Sequence, residues 1–255
     1  MVAPLLMNQT IALPPIFSVV TLAADADVLA EAKRLAAAGA DDGTLVWADK
    51  DDLLDCAVIL HPETGRDELG QLVYVAMLGL GDAMGRAAPP MLELTYSWPN
   101  RIMANGGVAA RIGLAVPEDS VKAPAWLIIH ASVNIDIPLP EAWDVDNPIT
   151  SLKSLGFEDI TATGLLENYS RHLLTWVNRW EDDGFGPVHS QWLNHVPNRG
   201  EPLEIEIGGK RITGVFRDIS DDGALVMEAE GKLRTIDLAT AFSATGVITG
   251  PQSDR

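Results

Sequence analysis

Basic residues are scarce in this chain: 18 Lys and Arg stand against 36 Asp and Glu, a formal net charge of −18. Nucleic acid is bound by neutralising phosphates with Lys and Arg, and anionic membranes attract the same residues, so neither is expected as a partner. The acidic excess favours solubility and would suit docking to a basic protein. Cysteine is almost absent. Cys56 stands alone, which excludes an internal disulfide framework and suits a reducing compartment. No run approaches eighteen uninterrupted apolar residues, so no membrane-spanning helix is expected. Met1–Pro15 lacks Lys and Arg and is broken by prolines, which makes a poor signal peptide. The expected location is the cytoplasm. There is also no internal repeat and no low-complexity tract.

What is present is enough apolar sequence, 47% of 255 residues, for one large domain or two with a proper core. Phe17–Leu22 reads as a first strand. Asp25 or Asp27 then caps a helix whose Val28, Leu29, Ala32, Leu35 and Ala36 recur at helical spacing. Gly43–Ala48 and Cys56–Leu60 read as a second and third strand, joined through the polar Asp49-Lys50-Asp51-Asp52. After loop residues His61–Gly65, Asp67–Met84 is apolar almost all round, the mark of a buried helix. Ile135–Asn147, rich in Pro and Asp, predicts an irregular crossing. Thr161–Trp180 predicts a second long helix, stopped near Gly184, and Val188–Val196 a shorter one. Asn198-Arg199-Gly200 is the expected boundary between a domain over 1–198 and a small one over 199–255. In the latter, four short alternating runs separated by Gly-containing turns predict an SH3-like β-barrel.

Between these lies Leu92–Asn134, with strands expected at Leu92–Tyr96, Val108–Ala115 and Trp126–Val133. Proline cannot donate to a ladder, so Trp98-Pro99 is expected to end a strand and aim Asn100 and Arg101 off its tip. Gly106-Gly107 signals a hairpin. A strand tip beside a hairpin is a natural ligand site.

This stretch resembles the biotin protein ligase and lipoate ligase family. The family motif Lys-Trp-Pro-Asn-Asp appears here as Ser97-Trp98-Pro99-Asn100-Arg101. Its following strand appears as Val108-Ala109-Ala110-Arg111-Ile112-Gly113, and its Gly-Ile-Asn strand end as Ala131-Ser132-Val133-Asn134. The run from Gly200 to Phe242 is similar to the small domain that closes bacterial biotin ligases, and the stretch ending GFGPVHSQWLNHV is similar to the segment before it. The resemblance covers about Phe17 to Phe242. It implies an α/β (α+β) fold, a mixed β-sheet packed by helices, followed by the small β-barrel. It also implies acyl-adenylate chemistry with ATP and biotin or lipoate, and transfer to a lysine of a biotinyl or lipoyl carrier domain. The amino-terminal winged helix of the repressor-type ligases is not expected.

The departures from the family bear on that chemistry. Charge developing on the α-phosphate needs a fixed cation and backbone amides. In the family these come from a Gly- and Arg-rich loop after the second strand, whereas ADKDDLLDC at Ala48–Cys56 holds no glycine and no arginine and is shorter. The family's lysine after the hairpin aligns with Val108, the Asp of its WPND motif with Arg101, and its Ser-Thr near the first strand with the apolar region around Leu22-Ala23-Ala24. His130 and Ser132 replace glycines that approach the ligand, narrowing or repolarising the cavity.

The catalytic candidates are therefore Arg101, Arg111 and His130. The ligand-binding candidates are Trp98, Asn100, Arg101, Arg111, His130, Ser132 and Asn134, with no metal ligand assigned. Each arginine either binds a carboxylate bidentately or pairs with a nearby Asp, and His130 is either a general base or a hydrogen-bonded strand residue. Cys56, on an apolar strand, reads as a core residue before it reads as a nucleophile. Asp49, Asp51, Asp52 and Asp55 read as a solvated turn before a cation site. Three functions stay open: a divergent ligase-like protein that binds a small carboxylic acid or a carrier domain without ordinary adenylation; an active acyl ligase or transferase with a rebuilt site; and an acidic interaction protein.

Overall fold

The computed structural model describes residues 11–62, 66–117, 124–142, 144, 148–197, 199–207 and 210–238. The expected loop residues Glu63–Gly65, the boundary residue Asn198, the Gly208-Gly209 turn and the ends of the chain lie outside them. So do Trp143 and residues 145–147 of the expected crossing.

Strand β1 (Ser18–Leu22) and β2 (Thr44–Ala48) pair in parallel. Parallel neighbours need a crossover, which helix α1 (Val28–Ala37) supplies. Of the two expected caps, Asp27 does the work, its Oδ1 accepting the Ala30 N–H at 2.9 Å. Every other pairing in the sheet is antiparallel. Its strands are β3 (Leu53–Leu60), β4 (Leu94–Ser97), β5 (Arg101–Ala104), β6 (Gly107–Ala115) and β7 (Leu127–Asn134), in the order β1-β2-β3-β7-β6-β5-β4.

Two corrections to the strand assignments matter for function. The third strand begins at Leu53 rather than Cys56, leaving only Asp49–Asp52 as the turn from β2. Leu54, Cys56 and Val58 face the core, while Asp55 points to the other face, where a charge finds partners. The second correction concerns Asn100 and Arg101, which do not project from a tip. Trp98-Pro99-Asn100, with a cis Trp98–Pro99 bond, forms a turn into β5, a strand paired on both sides. Asn100 is buried, its Nδ2 donating to the Ile112 carbonyl at 2.6 Å.

Helix α2 (Arg66–Leu69) leads into α3 (Gln71–Ala87), which is buried on nearly all sides against the sheet, α4 (Ala162–Asp183) and α5 (Phe185–Asn194). Glycine permits two of its close contacts. A Cβ at Gly79 would sit 3.0 Å from the Leu173 backbone of α4, and one at Gly81 would meet the Tyr96 hydroxyl at 2.0 Å. Thr161 caps α4, accepting the Gly164 N–H on Oγ1 at 3.1 Å. Gly184 ends that helix and starts α5 directly.

The carboxy-terminal strands β8 (Pro202–Ile207), β9 (Lys210–Ile219), β10 (Leu225–Ala229) and β11 (Lys232–Ile236) form an antiparallel sheet in the order β11-β10-β9-β8. Among the described residues it stays open and does not close into the expected barrel. Phe216, Ile219, Leu225 and Met227 join the same hydrophobic cluster as the main sheet and α3. Two hydrogen bonds fasten the junction, and a third, within the main domain, holds one of their donors in place. Gln71 donates from Nε2 to the Asp221 carbonyl at 2.5 Å, the Tyr74 hydroxyl donates to the Gly223 carbonyl at 2.5 Å, and Trp180 Nε1 donates to Gln71 Oε1 at 2.5 Å.

Tyr74 also accepts from Trp98 Nε1 at 3.0 Å, so its hydroxyl joins α3, the Trp-Pro turn and the carboxy-terminal sheet. Tyr74→Phe leaves a buried indole N–H and a carbonyl without that partner. It is expected to lower stability by about 1–3 kcal/mol, read as a shift of the urea midpoint at neutral pH. An unchanged midpoint would show that the junction does not depend on this hydroxyl.

Candidate functional site

The main sheet has two unlike faces. One is apolar and carries α3 and α4. On the other, α1 covers Val46, Ala57, Ile59, Ala115 and Ile128. Beyond α1 that same face turns polar. Residues directly opposite one another in antiparallel pairs share a face. The register aligns Arg101 of β5 with Arg111 of β6, Arg111 with Ser132 of β7, and Ser132 with Asp55 of β3. His130 follows two residues before Ser132 on the same face. These side chains are half-buried.

Asp55 is held from both sides: His130 Nε2 lies 2.8 Å from its Oδ1 and Lys50 Nζ lies 3.3 Å from its Oδ2. Burial raises its pKa, but hydrogen bonding and charge from His130 and then Lys50 outweigh it, so the carboxyl sits below its ordinary value. Burial lowers the Arg101 pKa, and burial followed by the charge of Arg101 lowers that of Arg111. Both guanidinium groups remain cations. Among the described residues no carboxylate ion-pairs with Arg101.

The structure thus brings Arg101, Arg111, Ser132 and His130 to one face, and adds Lys50 and Asp55. The remaining candidates lie elsewhere. Asn100 braces β6. Asn134 donates from Nδ2 to the carbonyls of Val108 (3.2 Å) and Thr150 (3.1 Å), pinning the segment around Ile149 beside β6. Trp98 borders a cavity of about 270 Å³ between β4, α5 and the carboxy-terminal sheet, lined also by Tyr96, Trp192, Leu203 and Phe216. Cys56 faces the core, and burial, then the charge of Asp55, push its thiol pKa far up, which removes the thiolate a nucleophile needs. Among the described residues no group of His, Cys, Asp and Glu is placed to hold a metal ion.

Sequence reasoning treated Asp55 as part of the turn. The signal that could have placed it is the alternation Leu54, Cys56, Val58, which makes Asp55 a strand residue on the opposite face.

The connection after the second strand is short and acidic. Asp49–Asp52 presents three carboxylates, and its one lysine, Lys50, is committed to Asp55. Val108 is fully buried, with its N–H on the Pro148 carbonyl and its own carbonyl receiving the Thr150 N–H.

Family models match residues 13–194 as the "Biotin/lipoate A/B protein ligase family" and residues 200–242 as the "Biotin protein ligase C terminal domain". The chain belongs to the biotin/lipoate A/B protein ligase family. Among relatives in this family, a biotin–[acetyl-CoA-carboxylase] ligase of Paracoccus denitrificans is 28% identical over 189 residues, covering 72% of this chain and 78% of the relative. The crystal structure of a biotin protein ligase-like protein of unknown function from Silicibacter sp. TM1040 superposes with a TM-score of 0.81 at 26% identity, covering 91% of this chain and 99% of that one. The biotin protein ligase of Aquifex aeolicus shares the fold, with a TM-score of 0.70 at 18% identity over 86% of this chain and 95% of that one. The family's mixed α/β architecture is therefore that of this chain. No helix among its described residues is long and apolar enough to cross a membrane.

Asp55 offers a pH test of the polar row. Its folded-state pKa is depressed, so the stability it contributes is complete above the unfolded-state value, about 3.9, and is lost as pH falls through the lower folded-state value. Asp55→Asn should therefore unfold at lower urea than the native chain at neutral pH, with the gap closing below about pH 4. A gap that persists undiminished in acid would contradict this linkage.

Proposed function

We propose that this biotin/lipoate ligase-like chain binds a small carboxylic acid, or the biotinyl or lipoyl carrier domain that bears it, without ordinary acyl-adenylate chemistry. One observation carries the reading. The connection between β2 and β3 is the four-residue turn Asp49–Asp52, where the family resemblance implies a glycine- and arginine-rich phosphate loop. Carboxylates at that place repel a triphosphate, and no lysine takes the position of Val108.

The half-buried Arg101 and Arg111 favour a second reading, an acyl ligase or transferase with a rebuilt site in which they and His130 take over the chemistry. The relative from Paracoccus denitrificans is a biotin–[acetyl-CoA-carboxylase] ligase, which makes biotin the first acid to test.

Isothermal titration with biotin, lipoate, octanoate and ATP, combined with pyrophosphate exchange, separates the readings. The expected result is saturable binding of one acid with no exchange. Exchange stimulated by an acid would replace this proposal with the rebuilt ligase. Absence of binding to all four would favour an acidic interaction protein.

A further inference from the structure

We propose that a cavity on the opposite face of the sheet from the polar row binds a small organic cation, an ammonium group carried on an apolar body. The inference stands apart from the small-acid reading, since it uses other residues on the other face.

Size and position come first. The cavity measures about 720 Å³ and lies between α3, α4, the start of α5 and the ends of β1, β2 and β3. Val58, Leu72 and Leu173, which line it, belong to the main hydrophobic cluster, on the side of the sheet away from Asp55. Protein interiors leave few voids larger than a water molecule, and a space of this size falls in the range of small-molecule sites. Its walls are mostly apolar, so burial holds the body of a ligand.

Charge sets the class of ligand. Asp42, Glu68 and Glu181 line the cavity, and among the described residues no lysine or arginine does. Asp42 is partly engaged, its Oδ1 accepting the His61 N–H at 2.7 Å with His61 Nδ1 3.7 Å away. Glu68 and Glu181 make no ion pair among the described residues. Uncompensated carboxylates around an apolar space favour a cation and repel an acid.

The end of α4 adds to the same field. Helix C-termini carry partial negative charge, and Trp180, Glu181 and Gly184 bring this one to the cavity wall. The last turn of α4 holds no basic residue to offset it. Arg179, just upstream, pairs with Asp183 at 3.8 Å, lies over the Trp176 ring and does not line the cavity.

Aromatic side chains complete the wall: Phe17, Trp180 and Phe185. The face of an aromatic ring attracts a cation, an attraction that neutral and anionic ligands lack. Apolar walls, carboxylates, a helix C-terminus and aromatic rings converge on one ligand chemistry.

The test follows the indole N–H resonances of the full chain, with that of Trp180 assigned through Trp180→Phe. Phenethylamine, phenethyl alcohol and hydrocinnamate, which share a body and differ in charge, are titrated separately at constant ionic strength. The amine should shift Trp180 saturably and leave Trp126, which packs on the α1 side of the sheet, unmoved. The alcohol and the acid should bind there about tenfold more weakly or not at all. Glu68→Gln combined with Glu181→Gln, both at exposed positions, should weaken the amine about fivefold, the worth of two exposed ion pairs. No saturation with the amine, equal binding of the three probes, or preference for the acid would overturn the proposal. So would amine binding that the double variant leaves unchanged, or shifts that Trp126 shares with Trp180.

Discussion

The buried hydroxyl of Tyr74 is the contact on which the rest of the architecture hangs. It accepts the Trp98 indole N–H and donates to the Gly223 carbonyl, so one atom fixes the Trp-Pro turn, the central helix and the carboxy-terminal sheet relative to each other. Burial pushes its pKa up, with the Trp98 hydrogen bond only partly opposing this, so the hydroxyl keeps the proton it donates. Trp192 packs edge-on against the same ring, its centroid 4.9 Å away. Trp98, the residue by which the family motif is most readily seen, therefore spends its polar atom on holding the fold together.

That division of labour runs through the whole motif. Asn100 and Asn134 satisfy backbone carbonyls of β6 and its neighbours, and the frame of a biotin/lipoate ligase is preserved by them. The positions between those anchors carry the differences. Arginines, a histidine and a serine occupy the open face, and an acidic turn joins β2 to β3. Residues that brace backbone and residues that face the open side alternate along the same strands.

Much of this was legible from local pattern. Alternating apolar runs located most of the strands, and the start of the first helix was narrowed to Asp25 or Asp27 because a cap acts through its own neighbours. The motif at Trp98-Pro99-Asn100 pointed to the family through residues that turn out to brace backbone. What escaped was set by distant partners or by very short elements. Strand β5 spans only Arg101–Ala104 between a proline turn and a glycine hairpin, too brief for a period to show. Asp55 looked like turn sequence, because the His130 and Lys50 that make it tolerable on a strand are visible only once the strands are paired. The barrel expected at the carboxy terminus rested on the rhythm of short strands, which is shared by an open meander lying on a helix.

The register has a further consequence, in the order of assembly. Strands β2 and β3 are joined by a tight turn, and β4, β5 and β6 follow one another closely, so these pieces need only local contacts. The seam between β3 and β7 pairs Leu53–Leu60 with Leu127–Asn134, across a long stretch of intervening chain. Loop-closure entropy must be met there before contacts reward it, and such pairings slow folding. Asp55 and His130 sit on opposite sides of that seam. The Asp55–His130 end of the polar row therefore forms only when this seam closes, whereas Arg101, Arg111 and Ser132 are brought together by the neighbouring strands β5, β6 and β7.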